Sequence, residues 1–153
     1  HEKLNNLSRV TLVNCHGFTM VSMGDLLQGG IDEIKEDDEA MSAIADVEVL
    51  VAPHHGRDSS FDRDLVSHIN PDLVVFSDKT AKHTVSGKYG SEANGAPVYN
   101  EDTEEWEQRK VVSTNADGQI RLQANNESDW RARISGRDYA SNKASTKRYQ
   151  KAN

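Results

Sequence analysis

Residues 47–52, VEVLVA, form a nearly continuous apolar run that ends abruptly at Pro53. A strand with one wet face alternates polar and apolar side chains. An unbroken run reads instead as a strand buried on both faces, as in a layered α/β sheet. The segment LVVF at 73–76, introduced by Asn70-Pro71 and closed by Ser77-Asp78, is a second run of the same kind. Between the two, Ser59 or Ser60 is suited to cap a helix reaching about Ile69, with Phe61, Leu65, Val66 and Ile69 along one face.

Upstream, residues 9–13 and 17–23 alternate around Asn14-Cys15-His16-Gly17 and are expected to form a β-hairpin ending at Gly24-Asp25. Leu26, Leu27, Ile31 and Ile34 suit a short helix; Met41, Ile44 and Ala45 suit another turn or two after the acidic stretch 35–39. Residues 79–100, with Gly87, Gly90, Gly95 and Pro97, are predicted to be irregular. Residues 111–113 and 119–122 are predicted to close the domain as a hairpin around the Asp117-Gly118 turn. The order β-β-α-β-α-β-loop-β-β predicts an α/β fold with helices flanking a mixed sheet.

The 153 residues suffice for one domain with a core. Hydrophobic residues make up only 35% and mean hydropathy is −0.75, so part of the chain is expected to lie outside that core. Charge points to which part. Residues 125–153 hold seven Lys/Arg against three Asp/Glu, whereas the preceding 124 hold eleven against twenty-two. The expected division is therefore a domain over 1–124 and a basic, flexible tail over 125–153. Such a tail is either a solvated extension or a segment that tracks nucleic-acid phosphates. No apolar run is long enough for a membrane span, and residues 1–20 carry no secretory pattern. The lone Cys15 rules out an internal disulfide, which makes a reducing, cytoplasmic setting the expectation. Because the chain begins at His1, a fragment or processed form is expected.

Candidate chemistry gathers at the predicted strand ends: Asp25 after one, His54 and His55 after another, Asp78 and His83 after a third. Ligands bind at such ends in open α/β sheets, and carboxylate with imidazole is the donor mixture that suits zinc, manganese or iron. Each residue also has a plainer reading. Asp25 could simply cap a helix. His16 belongs to a hairpin tip, His68 borders an apolar helix face, His1 is terminal, and His83 fits either a site or a loop. Two histidines pinned between Pro53 and Gly56 are harder to explain as ordinary loop residues.

The segments Ser22-Met23-Gly24-Asp25, Ala52-Pro53-His54-His55-Gly56-Arg57-Asp58-Ser59-Ser60, 70–78 (NPDLVVFSD) and 112–120 (VSTNADGQI) together resemble the metallo-β-lactamase fold. The branch is the competence-type one, which contains the hydrolase domain of the bacterial DNA-uptake channel and its stand-alone relatives. The resemblance covers about residues 5–123. It implies the second half of an αββα sandwich and a hydrolase cleaving a phosphodiester, of nucleic acid or a nucleotide, through metal-bound hydroxide. It also implies Asp25, His54 and His83 as ligands of a divalent metal, zinc or manganese, with His55 catalytic beside them. Two departures stand out. The residues around His83 lack the family's Gly-His-Pro context, and the His-x-His-x-Asp-His cluster of the family's first half is absent from these 153 residues. The chain alone is accordingly expected to bind metal weakly, to expose one face of its core and to need a missing N-terminal half or a partner chain. The competing expectations are a degenerate, non-catalytic module that binds a partner or nucleic acid, and an unrelated α/β domain.

Overall fold

The structure, a computed structural model, describes residues 7–79, 84–125 and 129–136. Its first sheet has five strands: β1 (Thr11–Cys15), β2 (Phe18–Ser22), β3 (Val49–Val51), β4 (Leu73–Phe76) and β7 (Val111–Ser113), in the order β1-β2-β3-β4-β7. The expected hairpin is there: β1 and β2 pair antiparallel, and the turn is made by His16 and Gly17, both at positive φ. From β2 onward the neighbours are parallel, and the two apolar runs occupy the middle of the sheet. Val49, Leu50, Leu73 and Val74 are completely buried, as double-faced packing requires.

Four helices, α1 (Gln28–Lys35), α2 (Asp38–Ile44), α3 (Arg63–Ile69) and α4 (Ser86–Glu92), cover one face of this sheet. Val21, Met23, Leu50, Ala52, Val74 and Phe76 pack there against Leu26, Ile31, Ile44, Leu65, Ile69 and Tyr89. The cap of α3 is Asp62 rather than Ser59 or Ser60; its carboxylate accepts the Leu65 N–H at 2.8 Å. Asn70, in the left-handed conformation at φ 49°, ends the helix.

The opposite face packs on a second sheet made of β5 (Ala96–Asn100), β6 (Glu105–Arg109), β8 (Gln119–Ala124) and β9 (Trp130–Ser135), in the order β6-β5-β9-β8. Phe18, Val49, Leu73, Val75 and Val112 from the first sheet meet Val98, Ala132 and Ile134 from the second. The described architecture is thus three layers, helices on a mixed sheet on a second mixed sheet.

Three expectations are corrected. Residues 79–100 are not wholly irregular, because 86–92 and 96–100 form α4 and β5. The strands at 111–113 and 119–124 are not a hairpin, since β7 pairs with β4 in one sheet and β8 with β9 in the other. Asp117 makes that crossing possible by accepting both the Ser113 N–H (2.7 Å) and the Arg109 guanidinium (2.9 Å). Finally, the tail does not begin at 125. Trp130–Ser135 is an interior strand paired with β5 and β8, and with Ala132 and Ile134 it closes the face expected to lie open. Residues 137–153 lie outside the described residues. Among the described helices none is long and apolar enough to cross a membrane.

Candidate active site

The candidate residues stand where the parallel strands β2, β3 and β4 end together, at their carboxyl ends in the first sheet. Met23 N–H bonds Val51 O at 3.4 Å and Ala52 N–H bonds Val75 O at 3.0 Å, so the parallel ladder continues just past the strands. Beyond it the Gly24-Asp25 and Pro53–Gly56 loops are joined directly, His54 N–H donating to Gly24 O at 2.8 Å.

The Pro53–Gly56 loop is a tight 3-10 turn with an unusual backbone. His54 (φ 47°, ψ 43°) and His55 (φ 63°, ψ 21°) are both left-handed, and Gly56 follows at φ 76°. Consecutive side-chain-bearing residues in this region cost roughly 1–2 kcal/mol each, so the surroundings must enforce them. Phe76 supplies part of that enforcement from below. A Cβ at Gly56 would lie 2.6 Å from its ring, so only glycine lets the loop sit down on β4. Tyr89 buttresses Phe76 edge-on at 5.3 Å between ring centres and reaches Ser60 O with its hydroxyl at 3.2 Å. Burial pushes the Tyr89 hydroxyl's pKa far above its ordinary value, so it stays a neutral donor. On the far side, Val85 N–H donates to Gly56 O at 2.9 Å.

These constraints aim His55 outward. Its Nδ1 is 2.6 Å from Ser77 O, and its Nε2 is 3.4 Å from Asp25 Oδ1. Ser77 belongs to the turn after β4, which Thr114 fixes by donating to Asp78 O (2.7 Å) and accepting from Asp78 N–H (3.0 Å). A carbonyl oxygen can only accept, so Nδ1 must carry a proton. The other nitrogen, in a neutral ring, therefore points a lone pair at a carboxylate. That contact is unfavourable unless a proton or another cation stands between the two atoms. Both groups are open to solvent, His55 at 41% and Asp25 at 53% side-chain exposure.

His54 faces a different way. Its Nδ1 is 3.4 Å from both Ser59 Oγ and Ser60 Oγ, and its ring centre is 6.1 Å from that of His55. Burial lowers its pKa below the ordinary imidazole value; Arg57 and His55 push the same way, and Asp25 opposes them. The structure thus brings Asp25 together with His55, not with His54. Asp25 is also not a helix cap, since Leu27 occupies that position of α1. Its backbone N–H is held by Ser8 Oγ at 3.1 Å. His83 lies outside the described residues. His16 is exposed at its hairpin tip and His68 is bonded to Met41 O at 2.9 Å, so neither belongs to the site. Among the described residues, no three His, Cys, Asp or Glu side chains form a group able to hold a metal.

Sequence reasoning did not anticipate Ser77 as the partner of His55. Its contribution is a backbone carbonyl, which every residue type offers, so nothing in the sequence marks it. Ser59 and Ser60 were visible, but as helix caps rather than neighbours of His54.

Comparison with known proteins adds no assignment: no family model, no curated protein and no solved structure matches this chain.

Proposed function

We propose that the chain contributes part of a metal-dependent hydrolase site, with Asp25 and His55 as two of the ligands of a zinc or manganese ion. The observation that carries this reading is the Ser77–His55–Asp25 line. Donating one ring N–H to a backbone carbonyl is how proteins orient an imidazole ligand, and here it leaves the other nitrogen facing the Asp25 carboxylate as a second donor. The donor set fits such an ion, though two ligands are fewer than the three protein ligands of a catalytic zinc site. His83 and a first half bearing the His-x-His-x-Asp-His cluster are the proposed sources of the rest.

A divalent ion bound there would supply Lewis acidity and a water acidified toward neutral pH. The chain's own residues supply positioning. Asp25 and His55 fix two coordination directions, and the left-handed turn holds His55 rigid. His54, whose charged form burial disfavours, stands beside the site with Ser59 and Ser60 as a polar wall toward a substrate oxygen. The proposed substrate is a phosphodiester of nucleic acid or a nucleotide. This rests on the likeness to the competence-type metallo-β-lactamase branch, a warrant by analogy.

The test is hydrolysis of bis(p-nitrophenyl) phosphate by the full-length protein with Mn²⁺ or Zn²⁺. Activity should fall at least a hundredfold in Asp25→Ala and in His55→Ala, the scale of a lost ligand or its support. Activity surviving both changes would remove the proposal. The second reading, a non-catalytic binding module, is favoured by one observation, that the described residues bring only two donors together.

A further inference from the structure

The second sheet turns a distinct surface to solvent. On its outer face Trp106 (β6) stands opposite Tyr99 (β5), Tyr99 beside Arg133 (β9), and Arg133 opposite Arg121 (β8). One register row therefore crosses all four strands as Trp-Tyr-Arg-Arg, a span of roughly 14 Å at the usual strand spacing. The two aromatic rings lie 5.3 Å apart, the Arg133 guanidinium sits 5.4 Å over the Tyr99 ring, and Trp106 is 54% exposed. The next row adds Arg131, with Gln108 and Gln123 at its ends, all exposed. Alternation explains the contrast with the inner face, where Val98, Ala132 and Ile134 are buried in the core.

Charge sets this face apart from the rest of a chain with net charge −7. Three arginines rise from its strands, and the carboxylates that meet them stand at the strand ends. Glu101, just past β5, lies 3.4 Å from Arg121 and 3.8 Å from Arg133; Asp129, just before β9, lies 3.2 Å from Arg131. The Arg131–Asp129 pair is open to solvent and contributes only about 0–1 kcal/mol, so a phosphate can displace it, whereas Glu101 is half-buried between Arg121 and Arg133. Arg133 Nε, moreover, is buried without a hydrogen-bond partner.

We infer that this face binds single-stranded nucleic acid, with bases stacked on Trp106 and Tyr99 and phosphates held by Arg121, Arg131 and Arg133. An exposed Trp106 ring, with the half-buried Tyr99 ring and guanidinium groups beside it on an open four-stranded sheet, suits unpaired bases, which offer π-faces and a flanking phosphate at each step. A duplex hides its base faces and would engage only the arginines. An acidic peptide would likewise use the charges without the rings. The inference does not depend on the Asp25–His55 reading.

The experiment is fluorescence anisotropy of a labelled twelve-residue deoxythymidine oligonucleotide with the full chain, at several salt concentrations. Binding should weaken with salt at a log–log slope of about −2, the value for three phosphates neutralised on a single strand. Trp106→Ala should weaken binding roughly tenfold, the effect of one lost stacked base. Arg121→Gln with Arg133→Gln should flatten the slope, and Gly87→Ala, on α4 at the far face of the first sheet where an added Cβ meets nothing, should change nothing. In a Trp130→Phe background the oligonucleotide should quench the Trp106 emission. Circular dichroism on each variant separates lost binding from lost fold. Absence of binding, binding indifferent to Trp106→Ala, or equal competition by duplex or polyglutamate would each overturn the inference.

Discussion

Gly56 stands directly over the ring of Phe76, so close that a Cβ at position 56 would lie 2.6–2.7 Å from three of its carbons. The ring is buried and wedged by Tyr89, so it cannot yield. Gly56→Ala would impose this overlap and a side chain at φ 76° together. A loss of about 2–4 kcal/mol is expected, from overpacking and backbone strain combined. Gly87 provides the control, because an added Cβ there meets nothing within 4 Å. Gly87→Ala should be neutral or stabilising by up to about 1 kcal/mol. Urea unfolding of both variants checks the contrast.

Tyr89 carries this support outward. Tyr89→Phe keeps the ring and loses only the bond to Ser60 O, at an expected cost of about 0.5–1.5 kcal/mol. Tyr89→Ala removes the wedge from both Phe61 and Phe76 and should cost about 3–5 kcal/mol. If the chain of contacts governs the site, Tyr89→Ala should also shift the His54 and His55 resonances in an NMR spectrum, whereas Tyr89→Phe should leave them nearly in place.

Asp62 makes stability pH-dependent. Burial pushes its carboxyl up, but the bonds from Leu65 N–H, Gln28 and Lys35 outweigh that and hold it below the ordinary aspartate value. A depressed carboxyl stabilises the fold above its unfolded pKa, and that contribution is lost as pH falls through the folded one. Thermal melts should therefore show a stability step below about pH 4, the ordinary aspartate range. The step should shrink in Asp62→Asn, which should also be less stable at neutral pH by about 1–2 kcal/mol.

The strand at 130–135 is required for the second sheet. A chain ending at Ala124 loses the interior strand that pairs with both β5 and β8, exposing the core face around Val98 and Val112. It should fail to melt cooperatively by circular dichroism. A chain ending at Gly136 keeps every described strand and should melt cooperatively.

What the sequence made legible follows from where each signal is local. The double-faced runs at 49–51 and 73–76, the His16-Gly17 turn and the helix over 63–69 each rest on side chains within one short segment, and each is present. Strand β6, EWEQR, is a polar edge whose outer residues face water, and β9 alternates arginines with core residues inside a basic stretch, so composition concealed both. Helix α4 contains Gly87 and Gly90, residues that locally argue against a helix; packing of Tyr89 and Ala93 overrides them. The Asp117-Gly118 turn was readable, but which sheets its strands join depends on long-range pairing. At the site, Asp25 and the His54-His55-Gly56 turn were visible as a set. The choice of His55 over His54 as the partner of Asp25 depends on backbone dihedrals and a carbonyl, neither of which side-chain identity encodes.

The central claim, that Asp25 and His55 share a divalent cation, is tested most directly by titrating Mn²⁺ into the isotope-labelled chain and following paramagnetic broadening residue by residue. This readout works even where binding is weak. The account predicts that signals of Asp25, His55 and Ser77 broaden first, and that Asp25→Ala and His55→Ala each abolish the effect while His68→Ala leaves it intact. Broadening that begins instead at the acidic stretch Asp37–Glu39, or that persists unchanged in Asp25→Ala, would contradict it.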